Sequence, residues 1–147
     1  MNILITGGAG YIGSATSYLL LKNKTIPIIV DKKIYKKKNI IPKKSIFFKS
    51  NISNLNLVKK VIKKFNIDSV IHFAAYKDVE ESILNPQKYY DNNYLISKKF
   101  IKCCKENGIK YFIFSSTAAV YGNLNKNKKV LENLTLNPIS MYGLTKK

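Results

Sequence analysis

Tyr142 and Lys146 lie in the stretch Tyr142-Gly143-Leu144-Thr145-Lys146 and form a Tyr-x-x-x-Lys pair. On a helix, positions four apart share one face. An ammonium held near a phenol favours the phenolate, which can then take a proton near neutral pH. The pair therefore predicts base chemistry on a hydroxyl group. A hydroxyl-rich segment, Phe114-Ser115-Ser116-Thr117-Ala118-Ala119-Val120-Tyr121-Gly122, precedes it. Thr117 in that segment offers a hydroxyl to relay a proton between a substrate and Tyr142.

A second chemistry is written near the start of the chain. Thr6-Gly7-Gly8-Ala9-Gly10-Tyr11-Ile12-Gly13 carries glycines at a G-x-x-G-x-x-G spacing. One glycine allows a tight bend, a second lets backbone approach a pyrophosphate, and a third lets helix and strand pack closely. A helix starting there presents unpaired N–H groups and a partial positive charge to phosphates. Asp31 ends the next apolar run. At that place an acid accepts hydrogen bonds from adenosine ribose hydroxyls and repels a 2′-phosphate, so NAD is expected over NADP. Lys32 and Lys33 follow and offset that charge in part.

These residues need a scaffold. Ile3-Leu4-Ile5-Thr6 reads as a buried strand, and Tyr11 to Lys22 as a helix. Further strands are expected at Ile26 to Val30, Ile46 to Phe48, Ser69 to Phe73 and Tyr111 to Ser115. Leu57, Val58, Val61, Ile62 and Phe65 have helical spacing within Leu55 to Phe65. Pro86 to Glu106 reads as one long helix stopped by Asn107-Gly108. Lys32 to Lys44 and Asn123 to Lys129 are polar loops, and Asn137-Pro138-Ile139-Ser140 introduces a last helix. Strands alternating with helices predict an α/β fold with a doubly wound parallel sheet, the Rossmann arrangement. The 147 residues suit one domain.

Composition narrows the class. Hydrophobic residues make up 46% of the chain, which is a globular rather than a disordered share. No apolar run approaches the ~20 residues of a membrane span. Nor does the N-terminus have the basic leader and cleavage site of a signal peptide. The net charge of +18 comes from 26 lysines without one arginine, the usual base-reading cation. Lysine, isoleucine and asparagine share A/T-rich codons, so compositional drift accounts for the charge, and no specific nucleic-acid partner is expected. Cys103 and Cys104 are adjacent, with neither disulfide nor metal spacing, and are read as helix residues in a reducing cytoplasm.

Taken together, the glycine turn, the Ser-Ser-Thr segment and the Tyr-Lys pair resemble the extended short-chain dehydrogenase/reductase family. The middle of the chain discriminates within it. His72-Phe73-Ala74-Ala75-Tyr76-Lys77-Asp78-Val79-Glu80-Glu81-Ser82, Pro86 and Tyr89-Tyr90-Asp91-Asn92-Asn93 are similar to the UDP-glucose 4-epimerase branch. The resemblance implies NAD as cofactor and a UDP-sugar as substrate. Gly7, Gly10, Tyr11 and Ile12 would lie on the pyrophosphate, with Gly13 completing the cofactor-binding turn, Asp31 on the adenosine ribose, and Asn51 and Ile52 beside the adenine. Phe73, Ala74, Ala75 and Lys77 would line the cofactor cleft, with Asn93 and Ser115 near the cofactor. Thr117, Tyr142 and Lys146 match the family's catalytic hydroxyl, tyrosine and lysine, and Tyr142 and Lys146 would also touch the cofactor. The implied reaction is C4 epimerisation of UDP-glucose and UDP-galactose through a 4-keto sugar. No metal is implied, and a homodimer is.

The sequence departs from the family pattern in three places. Asn51 stands where an acid is usual, keeping an acceptor but losing the charge. Met141 stands where proline is common. The family's members run to roughly twice this length, so the Rossmann domain over residues 1–147 is expected to be incomplete at its C-terminus, lacking later strands and the sugar-binding region. Two readings stand beside epimerisation: a truncated, non-catalytic NAD-binding remnant, or another nucleotide-sugar epimerase or dehydratase. His72 is read as a structural strand-end residue.

Overall fold

In the computed structural model, residues 2–32, 40–123 and 129–147 are described. Parts of both expected polar loops, residues 33–39 (Lys33 among them) and 124–128, lie outside these. The chain divides into two compact units, Met1–Ala74 with Ser97–Phe114, and Ala75–Ile96 with Ser115–Lys147.

The first unit is built on short apolar runs that lack helical spacing. Its strands are β1 (Ile3–Thr6), β2 (Pro27–Asp31), β3 (Ile46–Lys49), β4 (Ser69–His72) and β5 (Tyr111–Phe114). They form a parallel sheet in the order β3-β2-β1-β4-β5. The order steps outward from β1 on one side and jumps to β4 on the other, as in the Rossmann fold. Thr6 pairs with Val30 and His72, Val30 with Phe48, and His72 with Phe114. One level row therefore crosses the sheet near its carboxyl edge. Gly7, Asp31, Lys49 and Phe73 come next along their strands, so the glycine turn and Asp31 emerge at the same edge.

Strands covered on both faces read as continuous hydrophobic runs. Leu4, Ile5, Ile29 and Val30 are fully buried, and Leu20, Ile41, Phe47, Ile71 and Phe73 pack around Ile3, Ile5 and Ile29. At one sheet edge β5 differs, since Tyr111 and Ile113 are each 60% exposed. Helices α1 (Tyr11–Lys22), α2 (Leu55–Lys64) and most of α5 (Ile96–Glu106) complete the unit. Val58, Val61 and Ile62 form the buried stripe of α2, and the Asn54 side chain caps it by accepting from the Leu57 N–H at 3.2 Å. Ser97, Phe100, Cys103 and Cys104 form that of α5. Gly108 ends α5 at φ +80°, where the Ile109 N–H bonds back to the Cys104 carbonyl. Both thiols are free and buried, and burial pushes Cys104 up to about 12.

His72 is buried, with Nδ1 2.5 Å from Thr6 Oγ1 and Nε2 3.0 Å from Ser97 Oγ. Its ring lies among those of Phe100, Phe112 and Phe114. Both nitrogens are thus occupied, as a structural histidine requires.

The second unit consists of short helical pieces. They are α3 (Val79–Leu84), α4 (Pro86–Tyr89), a π-helical turn (Tyr90–Leu95), a 3₁₀ turn (Ala118–Tyr121) and α6 (Met141–Leu144). The long helix expected over Pro86 to Glu106 is thus a helical run in three parts, with a π turn in its middle. Helix α3 is an element that the sequence patterns do not predict. Around α3 and α4, Tyr89 Oη donates to Glu81 Oε2 at 2.8 Å, and Lys88 pairs with the same carboxylate. Lys88 Nζ also sits 4.9 Å from the centre of the Tyr76 ring. These hydrogen bonds hold Glu81 below the usual carboxylate range, while burial pushes the Tyr89 phenol up to about 12. No helix among the described residues is long and apolar enough to cross a membrane.

Candidate functional site

The first unit assembles the phosphate turn. Gly7 sits at φ +69°, and a Cβ there would come within 2.7 Å of the Ala74 nitrogen. At Gly13 a Cβ would lie 2.4 Å from the Gly7 carbonyl oxygen. Only glycine lets α1 start this close to the end of β1. Gly8 has a similar need, because a Cβ there would meet Ile29 Cγ2 at 2.6 Å. Gly8 falls outside the G-x-x-G-x-x-G spacing, and only the Gly7-Gly8 doublet marks it in the sequence.

Gly10 occupies the N-cap of α1 in extended backbone and brings no side-chain cap. The first-turn N–H groups of a helix have no partner within it. Tyr11 and Ile12 beside them are 92% and 59% exposed. A twelve-residue helix thus opens uncapped above a glycine cradle, an arrangement that fits a pyrophosphate.

Asp31 is tied to the same turn, since its Oδ2 accepts from the Ala9 N–H at 3.0 Å. The Ser50 N–H donates to the Asp31 carbonyl at 2.9 Å, which keeps Asn51 and Ile52 beside the end of β2. Asn51 is half-buried and its Oδ1 accepts from the Ser53 N–H, so part of its acceptor capacity serves a local turn. Ile52 is buried. The Phe73 N–H donates to the Thr6 carbonyl at 3.0 Å and Ala74 lies against Gly7. Gly7, Gly10, Tyr11, Ile12, Gly13, Asp31, Asn51, Ile52, Phe73 and Ala74 are therefore gathered around the carboxyl edge of one sheet.

The second unit carries Ala75, Lys77, Asn93, Ser115, Thr117, Tyr142 and Lys146. Asn93 is buried on the π turn. Its Oδ1 accepts from the Tyr76 N–H at 2.8 Å, and its Nδ2 donates to the Tyr76 carbonyl at 2.9 Å. The same Nδ2 reaches Thr145 Oγ1 at 3.4 Å. One amide therefore grips the backbone between Ala75 and Lys77 and touches the residue before Lys146. Lys77 itself is exposed.

The Tyr-Lys pair sits on a single helical turn. Ser140 caps it by accepting from the Gly143 N–H at 3.1 Å. Helix α6 ends at Leu144, so Lys146 falls beyond it in a tighter turn, where its N–H bonds to the Gly143 carbonyl. This differs from the four-residue spacing on one helix face that the sequence suggested. Lys146 is placed instead by its own contacts. Its Nζ donates to the Ser115 carbonyl at 2.9 Å, and its carbonyl accepts from Ser116 Oγ at 2.9 Å. Lys146 is buried, and that burial pushes its ammonium down to about 8.

Thr117 Oγ1 accepts from the Ala119 N–H at 3.2 Å, which leaves its own proton to donate. Gly143 lets α6 rest on this segment, since a Cβ there would meet the Ala119 carbonyl oxygen at 2.7 Å. Sequence reasoning missed Gly143, although it was the one residue without a side chain between Tyr142 and Lys146. The unit thus bonds Lys146 to Ser115 and Ser116, and the same two segments carry Thr117 and Tyr142.

Known proteins are similar to this chain over nearly its whole length. The model of the NAD dependent epimerase/dehydratase family matches residues 3–147. The UDP-glucose 4-epimerase of Lactobacillus helveticus is 38% identical over 146 residues, which are 99% of this chain and 44% of that protein. Among solved structures, the UDP-glucose 4-epimerase of Thermus thermophilus in complex with NAD is similar at a TM-score of 0.92 and 28% identity. That match covers 99% of this chain and 47% of the other. The UDP-Glc/GlcNAc 4-epimerase of Campylobacter jejuni is similar at a TM-score of 0.89 and 39% identity, covering 99% of this chain and 45% of the other. The chain spans less than half the length of each of these three proteins.

Proposed function

The chain belongs to the NAD dependent epimerase/dehydratase family, and on that premise we propose that it carries the cofactor-binding and proton-transfer part of a UDP-sugar 4-epimerase. The reaction is the interconversion of UDP-glucose and UDP-galactose through a 4-keto sugar. One observation carries the reading: the uncapped start of α1 over the Gly7–Gly13 cradle, with Asp31 bonded into the same turn.

In this reading Gly7, Gly10, Tyr11, Ile12 and Gly13 hold a pyrophosphate on backbone N–H groups. The Asp31 carboxylate accepts from ribose hydroxyls and repels a phosphate at the 2′ position. Bound NAD supplies a hydride acceptor. Tyr142 takes the proton of the sugar 4-hydroxyl, and the Thr117 hydroxyl donates to the reacting oxygen. The Lys146 ammonium supports negative charge on the Tyr142 oxygen. Its lowered pKa, about 8, keeps it mostly protonated at neutral pH and close to its titration range.

Calorimetric titration of the purified chain tests the cofactor assignment. NAD binds in preference to NADP, and Asp31→Ala weakens NAD by about tenfold or more, the worth of a lost charged hydrogen bond. Equal affinity for the two cofactors, or an Asp31→Ala variant that binds NAD like the parent, overturns the assignment. Incubation with UDP-galactose and with UDP-N-acetylgalactosamine then reads the substrate. Conversion of the acetamido sugar alone would overturn the UDP-glucose assignment.

A further inference from the structure

The cluster around Lys146 includes a hydroxyl to which the proposed mechanism gives no role. Ser116 Oγ donates to the Lys146 carbonyl at 2.9 Å, and the Lys146 ammonium donates to the carbonyl of the neighbouring Ser115 at 2.9 Å. The two bonds run in opposite directions between the same two segments and close a ring through them. Helix α6 is one turn long, and its carbonyls are met only by the N–H groups of the three residues that follow it and by the Thr145 hydroxyl. Ser140 secures its front end by capping Gly143, and Ser116 takes up the carbonyl just past its back end. Thr145, between them, bonds to the Tyr142 carbonyl at 2.9 Å and receives the Asn93 amide. A helix this short is marginal on its few backbone bonds, and side-chain hydroxyls add to them at both ends.

We infer that Ser116 is a positioning residue that fixes Lys146, holding its backbone so that its ammonium stays on the Ser115 carbonyl. Its significance for turnover rests on the role proposed above for Lys146. Ser116 does not itself meet substrate. Its hydroxyl is committed to the Lys146 carbonyl, and removing it leaves that carbonyl without this donor and loosens the turn that carries the ammonium.

The test is the acylation rate of the Lys146 amine, read by mass spectrometry against the exposed Lys102 in the same sample. Cys103 and Cys104, buried in α5, are labelled in parallel with a thiol reagent to report opening of the sheet. In the parent chain Lys146 reacts more slowly than Lys102. Ser116→Ala speeds Lys146 by about fivefold, the change in opening expected for one lost neutral hydrogen bond, while both thiols stay slow. Ser116→Thr, which keeps the hydroxyl, restores the parent rate. If Ser116→Ala does not fold, Ser116→Cys, which keeps the volume but weakens the donor, is read in its place.

An unchanged Lys146 rate in the Ala and Cys variants overturns the inference. So does a rise in which the thiols speed up together with the amine, or in which the Tyr89 and Asn93 amides lose hydrogen-exchange protection, because either marks a loss of structure wider than the Lys146 turn. Repeating the labelling with saturating NAD separates this result from the cofactor reading. NAD that leaves Lys146 reactivity unaltered counts against that reading, whereas the Ser116 result depends only on the ratio among variants.

Discussion

The sheet unit and the Tyr-Lys unit are held by different kinds of bond. In the first, five strands share backbone ladders, and the buried side chains are largely interchangeable aliphatics such as Ile3, Ile5, Ile28, Ile29 and Val30. In the second, no strand is present among the described residues, and the pieces of helix run from four to six residues. There the fold rests on single polar atoms: the Asn93 amide, the hydroxyls of Ser116, Thr117 and Ser140, and the Glu81 carboxylate. A ladder depends on the backbone and tolerates exchange of one apolar residue for another. A fold made of individual side-chain bonds loses a fixed contact with each substitution. Exchange of one aliphatic residue for another is therefore mild in the sheet, whereas loss of a single polar atom is costly in the second unit.

The sharpest way to break this contrast is a steric one. Gly122 sits at φ +70° and ψ −145°, and a Cβ there would come to 1.9 Å from the Asn137 carbonyl oxygen. Gly122→Ala should cost the second unit about 3 kcal/mol or more, from backbone strain together with the collision. Hydrogen exchange should show amides near Tyr142 and Lys146 losing protection while Leu4 and Ile29 keep theirs. Equal loss in both units would mean that they fold as one and that the contrast is false.

A pH comparison comes next. Burial lowers Lys146 from 10.5 to about 8, so between those values the unfolded chain carries a proton that the folded chain has lost. Stability then rises with pH across that window, and the penalty for the buried ammonium is fully present below about 8. Lys146→Met removes the penalty. Its stability relative to the parent should fall by about 3 kcal/mol between pH 7 and pH 10.5, measured by urea melts at each pH. A difference independent of pH would show that Lys146 is solvated rather than buried. The smallest effect belongs to the helix cap: Ser140→Ala should cost ~1 kcal/mol, confined by hydrogen exchange to Gly143 and its neighbours.

The same contrast explains what the sequence made legible. Strands β1 and β2 announce themselves as short apolar runs, because parallel strands buried on both faces are largely apolar. Strand β5 is legible from the same kind of run although Tyr111 and Ile113 are exposed. The glycine turn was readable because its need is local: a bend, a close approach and a free helix start lie within seven residues. Helix α3 was not seen, since six residues give too little periodicity. Its cap signal, Asp78 accepting from the Glu81 N–H at 2.9 Å, was there to be read as an Asp-x-x-Glu box. The π turn left no local trace, because what accompanies it is the bonding of Asn93 to Tyr76, seventeen positions away in sequence. The placement of Lys146 likewise depends on Ser115 and Ser116, thirty-one and thirty positions earlier. Spacing rules assume a regular helix, and α6 ends before Lys146 is reached.

The level row Phe48, Val30, Thr6, His72 and Phe114 limits where this chain can change length. One residue inserted into any of these strands would push its carboxyl end ~3.3 Å past its neighbours and turn its buried side chains to the opposite face. Gly7, Asp31 and Phe73 would then leave the shared edge one at a time. Gains and losses of residues are tolerable only in the connections. The lysine- and asparagine-rich tracts after Asp31 and Gly122 are where lineages of this protein should record their insertions and deletions.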